Sequence, residues 1–429
     1  MGGSSLFDPA TLLIVALIFV GYSLVSARLA SAPVTAPLVF MLAGLALGPP
    51  GAGLLQLEFE HGVLHTLAEL ALVVALFTDA ARIDPGCLRQ DHDLALRMLL
   101  VGIPGVILAG TLVGWLLLPG WSPWLLVLLA AILAPTDASL GQAAVTEHGI
   151  PLRVRQTLNV ESGLNDGLLL PAVLLLACLA SAAHDPGTPV RWLILAAEQI
   201  GYGIVAGAVL GSLGGWLVAA AAERRWMTET FLGMTTFGLA LSAFAGAESV
   251  GGNGFVAAFV AGAAFARRAR EQCRHVYAFA EAEGQLLVLL TFLVLGVQLL
   301  PAALTHLQGA HLAYGLLSLT LVRLVPAGLA LAGCGLRPVT IGFIGWFGPR
   351  GLASLLFGLF VIEDLATPGR QELFTLIVLT VALSVVLHGV TAAPLARWYA
   401  RRAARLSGDA EHQSVRRLPL RLVSGGRRR

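Results

Sequence analysis

Apolar stretches follow one another from residue 10 to residue 396, and most of them approach or exceed the roughly 20 residues that carry a helix across a bilayer core. They lie at about 10–29, 34–50, 62–80, 95–118, 123–144, 156–181, 192–220, 228–247, 252–267, 284–300, 311–332, 339–361 and 372–396. Water cannot be the main solvent of such a chain: 57% of its residues are hydrophobic and 12% charged, against about a quarter charged in soluble domains. In lipid each spanning segment must satisfy its own backbone, so the expected fold is an all-α polytopic membrane protein with about 13 transmembrane helices.

Arginine supplies an independent check on that count, because short cytoplasmic loops carry the basic excess. With thirteen spans and a cytoplasmic C-terminus, Arg28, Arg82, Arg89, Arg97, Arg153, Arg155, Arg224, Arg225, Arg267, Arg268, Arg270, Arg274 and Arg337 all fall inside. Only Arg191 and Arg370 fall outside, and dropping one short span would invert every earlier loop. The N-terminus is therefore expected outside, and Met1–Ala10 lacks the basic region of a cleavable leader. The membrane domain is expected over residues 1–396. Residues 397–429, rich in arginine, read as a disordered or surface-bound cytoplasmic tail able to meet anionic lipid.

The formal charge of +2 gives no field for nucleic acid. Cys87, Cys178, Cys273 and Cys334 are too dispersed for a disulfide framework or metal cluster. No phosphate-binding loop, dinucleotide fingerprint or HExxH motif is present, so neither an enzyme nor a cofactor is indicated.

Against this apolar background the charged residues at membrane depth carry the functional reading. Pro135-Thr136-Asp137 interrupts the fifth stretch, and Glu161-Ser162-Gly163-Leu164-Asn165-Asp166 interrupts the sixth. Proline removes a donor and blocks the preceding turn, which predicts a helix broken in mid-membrane. Broken backbone there is tolerated where it lines protein or a wet cavity. Freed carbonyls, the Thr136 hydroxyl and the Asp137 carboxylate would make an oxygen nest for a hard cation. The plainer alternative is an early cytoplasmic loop with Asp137 as a helix cap. Glu161 and Asn165 share one helical face and Asp166 points about 100° further round, so Glu161 can meet a structural cation while Asp166 meets a cavity beside Asp137. A carboxylate withdrawn from water can hold a proton near neutral pH and exchange it for a metal ion. A polar network that only binds the bundle together is the alternative for both.

Arg323, inside Leu319–Leu331, needs an anion, and Glu161 is the expected partner. Arg350, in Gly348-Pro349-Arg350-Gly351, marks a second interrupted helix, where its guanidinium could satisfy loose carbonyls or repel a bound cation. The two breaks are in the fifth and twelfth stretches, which are the fifth members of two six-helix repeats at about 10–181 and 228–396 linked by the helix 192–220. Paired breaks of this kind point to an inverted-repeat secondary transporter. Asp79, with Arg82 and Asp84, reads as a cytoplasmic rim network, Glu198 and Gln199 as a subunit or head-group contact, and Asn253 as a helix cap.

At these motifs, with Leu76-Phe77-Thr78-Asp79 as a weaker mark, residues 10–396 resemble the monovalent cation:proton antiporter family, specifically prokaryotic sodium/proton antiporters related to animal sodium/hydrogen exchangers. The resemblance implies that Asp166 carries cation and proton in turn, with Thr136, Asp137 and Ser162 helping to hold the monovalent cation. It implies that Asn165, where electrogenic relatives carry a second aspartate, marks electroneutral exchange, and that Glu161 and Arg323 form a structural ion pair. It also implies a homodimer, and a six-helix core crossed by two unwound peptides with Arg350 in one of them. The activity expected is exchange of Na+ or Li+ for H+ by alternating access across a bacterial or archaeal inner membrane. K+/H+ antiport is the nearest rival, followed by a cation channel and a non-transporting scaffold.

Overall fold

The computed structural model describes residues 9–29, 32–55, 61–82, 93–137, 139–182, 189–269, 273–364, 369–405 and 410–413. Asp84, Cys87 and the arginine-rich stretch 414–429 lie outside the described residues. Every regular element among the described residues is helical. In order these are α1 (Pro9–Leu29), α2 (Ala36–Leu47), α3 (His61–Arg82), α4 (Asp93–Leu117), α5 (Pro123–Ile132), α6 (Gln142–Thr146), α7 (Leu152–Ala182) and α8 (Pro189–Glu223). There follow α9 (Glu229–Glu248), α10 (Gly254–Arg268), α11 (Cys273–Val294, continued by Leu295–Leu299 and Leu300–Leu304), α12 (Gly309–Leu319), α13 (Leu321–Ala330), α14 (Pro338–Trp346), α15 (Leu352–Asp364) and α16 (Arg370–Ala403).

Among the described residues eight helices are long and apolar enough to cross a membrane, and shorter apolar helices occupy Ala36–Leu47, Pro123–Ile132 and Leu352–Val361. Many large apolar side chains face outward: on α1, Leu12, Leu17 and Leu24 are exposed. The surface sorts by lipid rather than by water, and the protein is a multi-pass membrane protein.

Proline sets several local shapes. Met98–Gly102 is a π-helical turn within α4 directly before Ile103 and Pro104, and Leu295–Leu299 is another directly before Leu300 and Pro301. The wider turn relieves the clash between a proline ring and the carbonyl four residues back. In α5 and α14 the helix instead stops, at Ile132 ahead of Pro135 and at Trp346 ahead of Pro349.

A long, close helix contact is made by glycine. Gly203, Gly207, Gly211 and Gly215 recur every four residues along one face of α8, and a Cβ added at each would meet the backbone oxygen of Asn253, Ala257, Ala261 and Phe265 respectively. Two helices thus approach backbone to backbone over three turns, the way van der Waals packing holds helices together where lipid removes the hydrophobic drive. Asn253 starts α10 as a cap, its side chain accepting the Val256 N–H at 3.0 Å.

Of the tail expected to be disordered or surface-bound, residues 410–413 are described and pack against the protein. Residues 410–412 form a 3-10 turn, and Glu411 within it is fully buried. A carboxylate with donors to meet in the protein interior outweighs the polar composition around it.

Candidate functional site

The two broken helices meet at their breaks. The Asp137 N–H donates to the Pro349 carbonyl oxygen at 2.8 Å, joining the unwound residues after α5 to those between α14 and α15. Pro135 and the early end of α5 leave carbonyls without helical donors, and Arg350, fully buried, reaches them: its Nη1 donates to the Ala134 oxygen at 2.8 Å and the Pro135 oxygen at 3.3 Å. The Arg350 N–H donates to Ser384 Oγ on α16 at 2.7 Å. One guanidinium thus satisfies acceptors that would be costly to leave unpaired in a low-dielectric interior.

The Asp137 carboxylate is held by backbone amides. Its Oδ1 accepts the Ser139 N–H at 2.8 Å, and its Oδ2 accepts the Leu352 N–H, the first of α15, at 3.0 Å. It does cap a helix, and the helix is α15, across the crossing. Two glycines make the approach possible: a Cβ at Gly351 would collide with the Asp137 carboxylate, and one at Gly348 with the Arg323 guanidinium. The Gly-Pro-Arg-Gly motif is therefore read residue by residue as clearance, helix stop, carbonyl partner and clearance.

On one side of the crossing lies a cavity of about 140 Å³. Asp137 and Asp166 line it, together with Ser139, Gln142 and Asn159. Its opposite wall is α2, α3 and α11, from which Thr78, Asp79, Arg82 and Gln285 face it. Asp79 is 6% exposed and stands in this wall, deeper than a rim position; Ala75 and Leu72, one and two turns before it on the same helical face, line the same cavity. That spacing was the available signal, and the neighbouring Arg82 obscured it.

Thr136 and Ser162 sit behind the cavity wall, with Asp137, around a gap of about 10 Å³ next to Phe347 and Pro349. Their oxygens are engaged: Ser162 Oγ donates to the Thr136 carbonyl oxygen at 2.8 Å, and Asn165 Nδ2 donates to Thr136 Oγ1 at 2.7 Å. Asn165 thereby ties α7 to the unwound end of α5.

The other side of the crossing is closed to solvent at its charged pair, and is the dry side. Arg323 Nη1 lies 2.6 Å from Glu161 Oε1, and each side chain is 1% exposed. The contact is a charge pair rather than an aligned hydrogen bond, since neither atom has a hydrogen-bond partner of good geometry. Arg323 Nε also reaches the Gly345 carbonyl oxygen at 3.4 Å, at the end of α14. His388 on α16 closes this region, with Nε2 3.0 Å from the Trp346 carbonyl oxygen and Nδ1 3.2 Å from Ser384 Oγ.

The model of the family described as "Sodium/hydrogen exchanger, transmembrane" matches residues 14–398. Among curated proteins, a K(+)/H(+) antiporter NhaP from Alkalimonas amylolytica is 28% identical over 93% of this chain and 68% of its own length. A K(+)/H(+) antiporter NhaP2 from Shewanella sp. (strain ANA-3) is 26% identical over 84% of this chain, which spans 62% of that relative's length. A Na(+)/H(+) antiporter NhaP from Pseudomonas aeruginosa is 26% identical, covering 84% of this chain and 88% of its own. The fold matches the sodium proton antiporter MjNhaP1 from Methanocaldococcus jannaschii with a TM-score of 0.71, at 18% identity, over 93% of this chain and 98% of that one. The chain belongs to the transmembrane sodium/hydrogen exchanger family, within the monovalent cation:proton antiporters.

Proposed function

We propose that the protein is a secondary active antiporter that exchanges a monovalent cation for a proton at Asp166. One observation carries this reading: Asp137 and Asp166 share the wall of one cavity at the meeting of two broken helices, on the wet side of a crossing whose other side is sealed by Glu161 and Arg323. Asp166 takes a proton or a cation, never both, and competition at one carboxylate is sufficient for coupling. Asp137, Thr136 and Ser162 supply further oxygens, for which Ser162 and Thr136 must first give up the hydrogen bonds they now make. With Asn165 neutral, the site carries the same charge whether protonated or cation-loaded, which gives one proton per ion and no net charge moved.

Na+ or Li+ is the cation of this reading, in keeping with the Na(+)/H(+) relative and the sodium proton antiporter of like fold. K+ is the second reading, favoured by the names of the K(+)/H(+) relatives. The wider architecture is proposed as thirteen crossings with the N-terminus outside, inverted repeats at about 10–181 and 228–396 joined by 192–220, and a basic cytoplasmic tail, in a homodimer of a bacterial or archaeal inner membrane. In that orientation the cavity beside Arg82, Gln142 and Thr146 opens to the cytoplasm. A second cavity of about 450 Å³, lined by Glu69, Gln199, Glu248 and Asn253, would then face outward beyond Phe255, Phe357 and Phe360. Movement of α5–α7 and α12–α16 against α2, α3 and α11 would expose Asp166 to each in turn.

Purified protein in vesicles carrying an internal pH dye tests this directly. Addition of Na+, Li+ or K+ should move protons, the ranking of the three gives the cation, and Asp166→Ala should abolish the signal. Exchange by that variant at the parent rate would remove Asp166 as the carrier.

A further inference from the structure

We propose that Glu411, in the C-terminal tail, is a positioning residue for the ion site: it caps the half-helix α14 from outside and so sets where the Gly348–Arg350 peptide lies against Asp137. α14 has nine residues, and Arg337 at its N-cap makes no side-chain capping bond. Glu411 supplies that function from 74 positions away: its Oε1 accepts the Arg337 N–H and the Thr340 hydroxyl, each at 2.8 Å. Because the Thr340 hydroxyl is spent on Glu411, the Tyr399 hydroxyl, 2.9 Å from Thr340 Oγ1, is the donor in that contact. Tyr399 also stacks on Phe343 of α14, with ring centroids 4.1 Å apart. A carboxylate at this end satisfies one of the orphan N–H groups, that of Arg337, and faces the positive end of the helix dipole.

The tail segment is itself fixed. Arg153 Nη1 donates to the Ala410 carbonyl oxygen at 2.7 Å, while its Nη2 holds Asp93 at 2.8 and 3.0 Å. Residues 410 and 411 therefore join the start of α4, the start of α7, the start of α14 and the end of α16. Nine residues of helix cover only about 13 Å, and a helix that short owes its position to what holds its ends. The far end of α14 is tied to α16 through Trp346, whose Nε1 donates to Thr391 at 3.2 Å, and three residues on, the Pro349 oxygen takes the Asp137 N–H. A shift of α14 along its axis must displace that oxygen.

The kinetic consequence rests on the antiport reading; the capping consequence does not. The test uses full-length protein with Glu411→Ala, Glu411→Gln and Thr340→Val, read in two ways. Amide hydrogen exchange over 337–343 should quicken about fivefold in Glu411→Ala, the scale of a lost cap, and stay near the parent in Glu411→Gln, whose amide oxygen still accepts. In vesicles, Glu411→Ala should raise the KM for the cation about fivefold with kcat within about twofold, since the cation's surroundings loosen while Asp166 is intact. Glu411→Gln should restore it, and Thr340→Val, which removes one of the two donors, should shift both readouts in the same direction by less. Unchanged amide exchange in Glu411→Ala, or in Thr340→Val where the first variant fails to accumulate, overturns the cap. Faster amide exchange with an unmoved KM overturns the positioning role. A parent protein that exchanges no cation sinks the antiport reading, and the amide comparison still decides the cap.

Discussion

The crossing of the broken helices has a wet side and a dry side, and both are built from carboxylates and guanidinium groups. On the dry side Glu161 and Arg323 are each 1% exposed and 2.6 Å apart. On the wet side Asp166, only five residues along the same helix from Glu161, faces a 140 Å³ cavity with Asp137 and Asp79. The residue type does not assign the role; what the side chain faces does. A buried acid matched by a fixed arginine has no reason to exchange its counter-ion, whereas an acid at a cavity roomy enough for several waters can trade a proton for a cation.

Removing the carboxylate on each side should therefore give opposite phenotypes, and the largest effect is expected on the wet side. Asp166→Asn should reduce exchange by at least about 100-fold, the scale on which loss of an essential proton-transfer group acts. Its thermal midpoint should stay near the parent's, because a half-buried side chain at a cavity is replaced by one of the same shape. Vesicle dye assays and thermal unfolding in detergent measure the two. A variant that exchanges at the parent's rate but unfolds at a lower temperature would reverse the assignment of sides.

On the dry side, Arg323→Ala strands the buried Glu161 without its counter-charge, at a cost of about 3–5 kcal/mol. The expected outcome is loss of folded protein rather than of turnover per folded molecule. Glu161→Gln combined with Arg323→Gln should recover most of it, since no unmatched charge remains. Denaturation of the single and double variants gives the coupling; additive losses would mean that the pair is not what holds this side.

The glycines of the second break sharpen the contrast at smaller amplitude. Gly348→Ala pushes into Arg323 and Gly351→Ala into the Asp137 carboxylate. Each overpacks by one methyl group, at about 1–3 kcal/mol. The first should lower the unfolding midpoint with KM held, and the second should raise KM for the cation, because Asp137 must turn away from the Leu352 N–H that now fixes it. Equal effects of both on both measurements would show that the crossing responds as one unit.

Proline and glycine made the breaks legible in the sequence, since Pro135 and Gly348-Pro349 cannot continue a helix, and the isolated Arg323 demanded an acid that Glu161 supplies. The stacking of one break on the other was not legible, because an Asp137 N–H meeting a Pro349 oxygen across 212 positions leaves no local pattern. The four-residue spacing of Gly203, Gly207, Gly211 and Gly215 was plain in the chain, but their partner on α10 is fixed only by the three-dimensional approach of the two backbones. Asp79 misled through its neighbours: an arginine one turn on suggested a rim, while its face of α3 points inward. Glu411 was hidden by composition, one buried acid in a tail whose other residues favour water.

Asn165 stands between the two sides, and changing it tests whether its neutrality matters. Its Nδ2 donates to Thr136 Oγ1 at 2.7 Å, so in Asn165→Asp the Thr136 hydroxyl can reverse direction and donate to the new carboxylate, keeping the link between α7 and α5. The fold should therefore survive with a loss near 1 kcal/mol, the scale of one altered hydrogen bond. What changes is charge: a second acid beside Asp166 can bring an additional proton into each cycle while still one cation returns. A membrane potential then acts on the cycle with about 2.3 kcal/mol per 100 mV for each net charge moved. Vesicles clamped at zero and at about −100 mV should give the parent the same initial rate and the variant two clearly different ones. A variant that stays indifferent to voltage, while folded and exchanging, would show that Asn165 serves only to hold Thr136 and that electroneutrality is set elsewhere in the wet wall, with Asp79 the next acid to change.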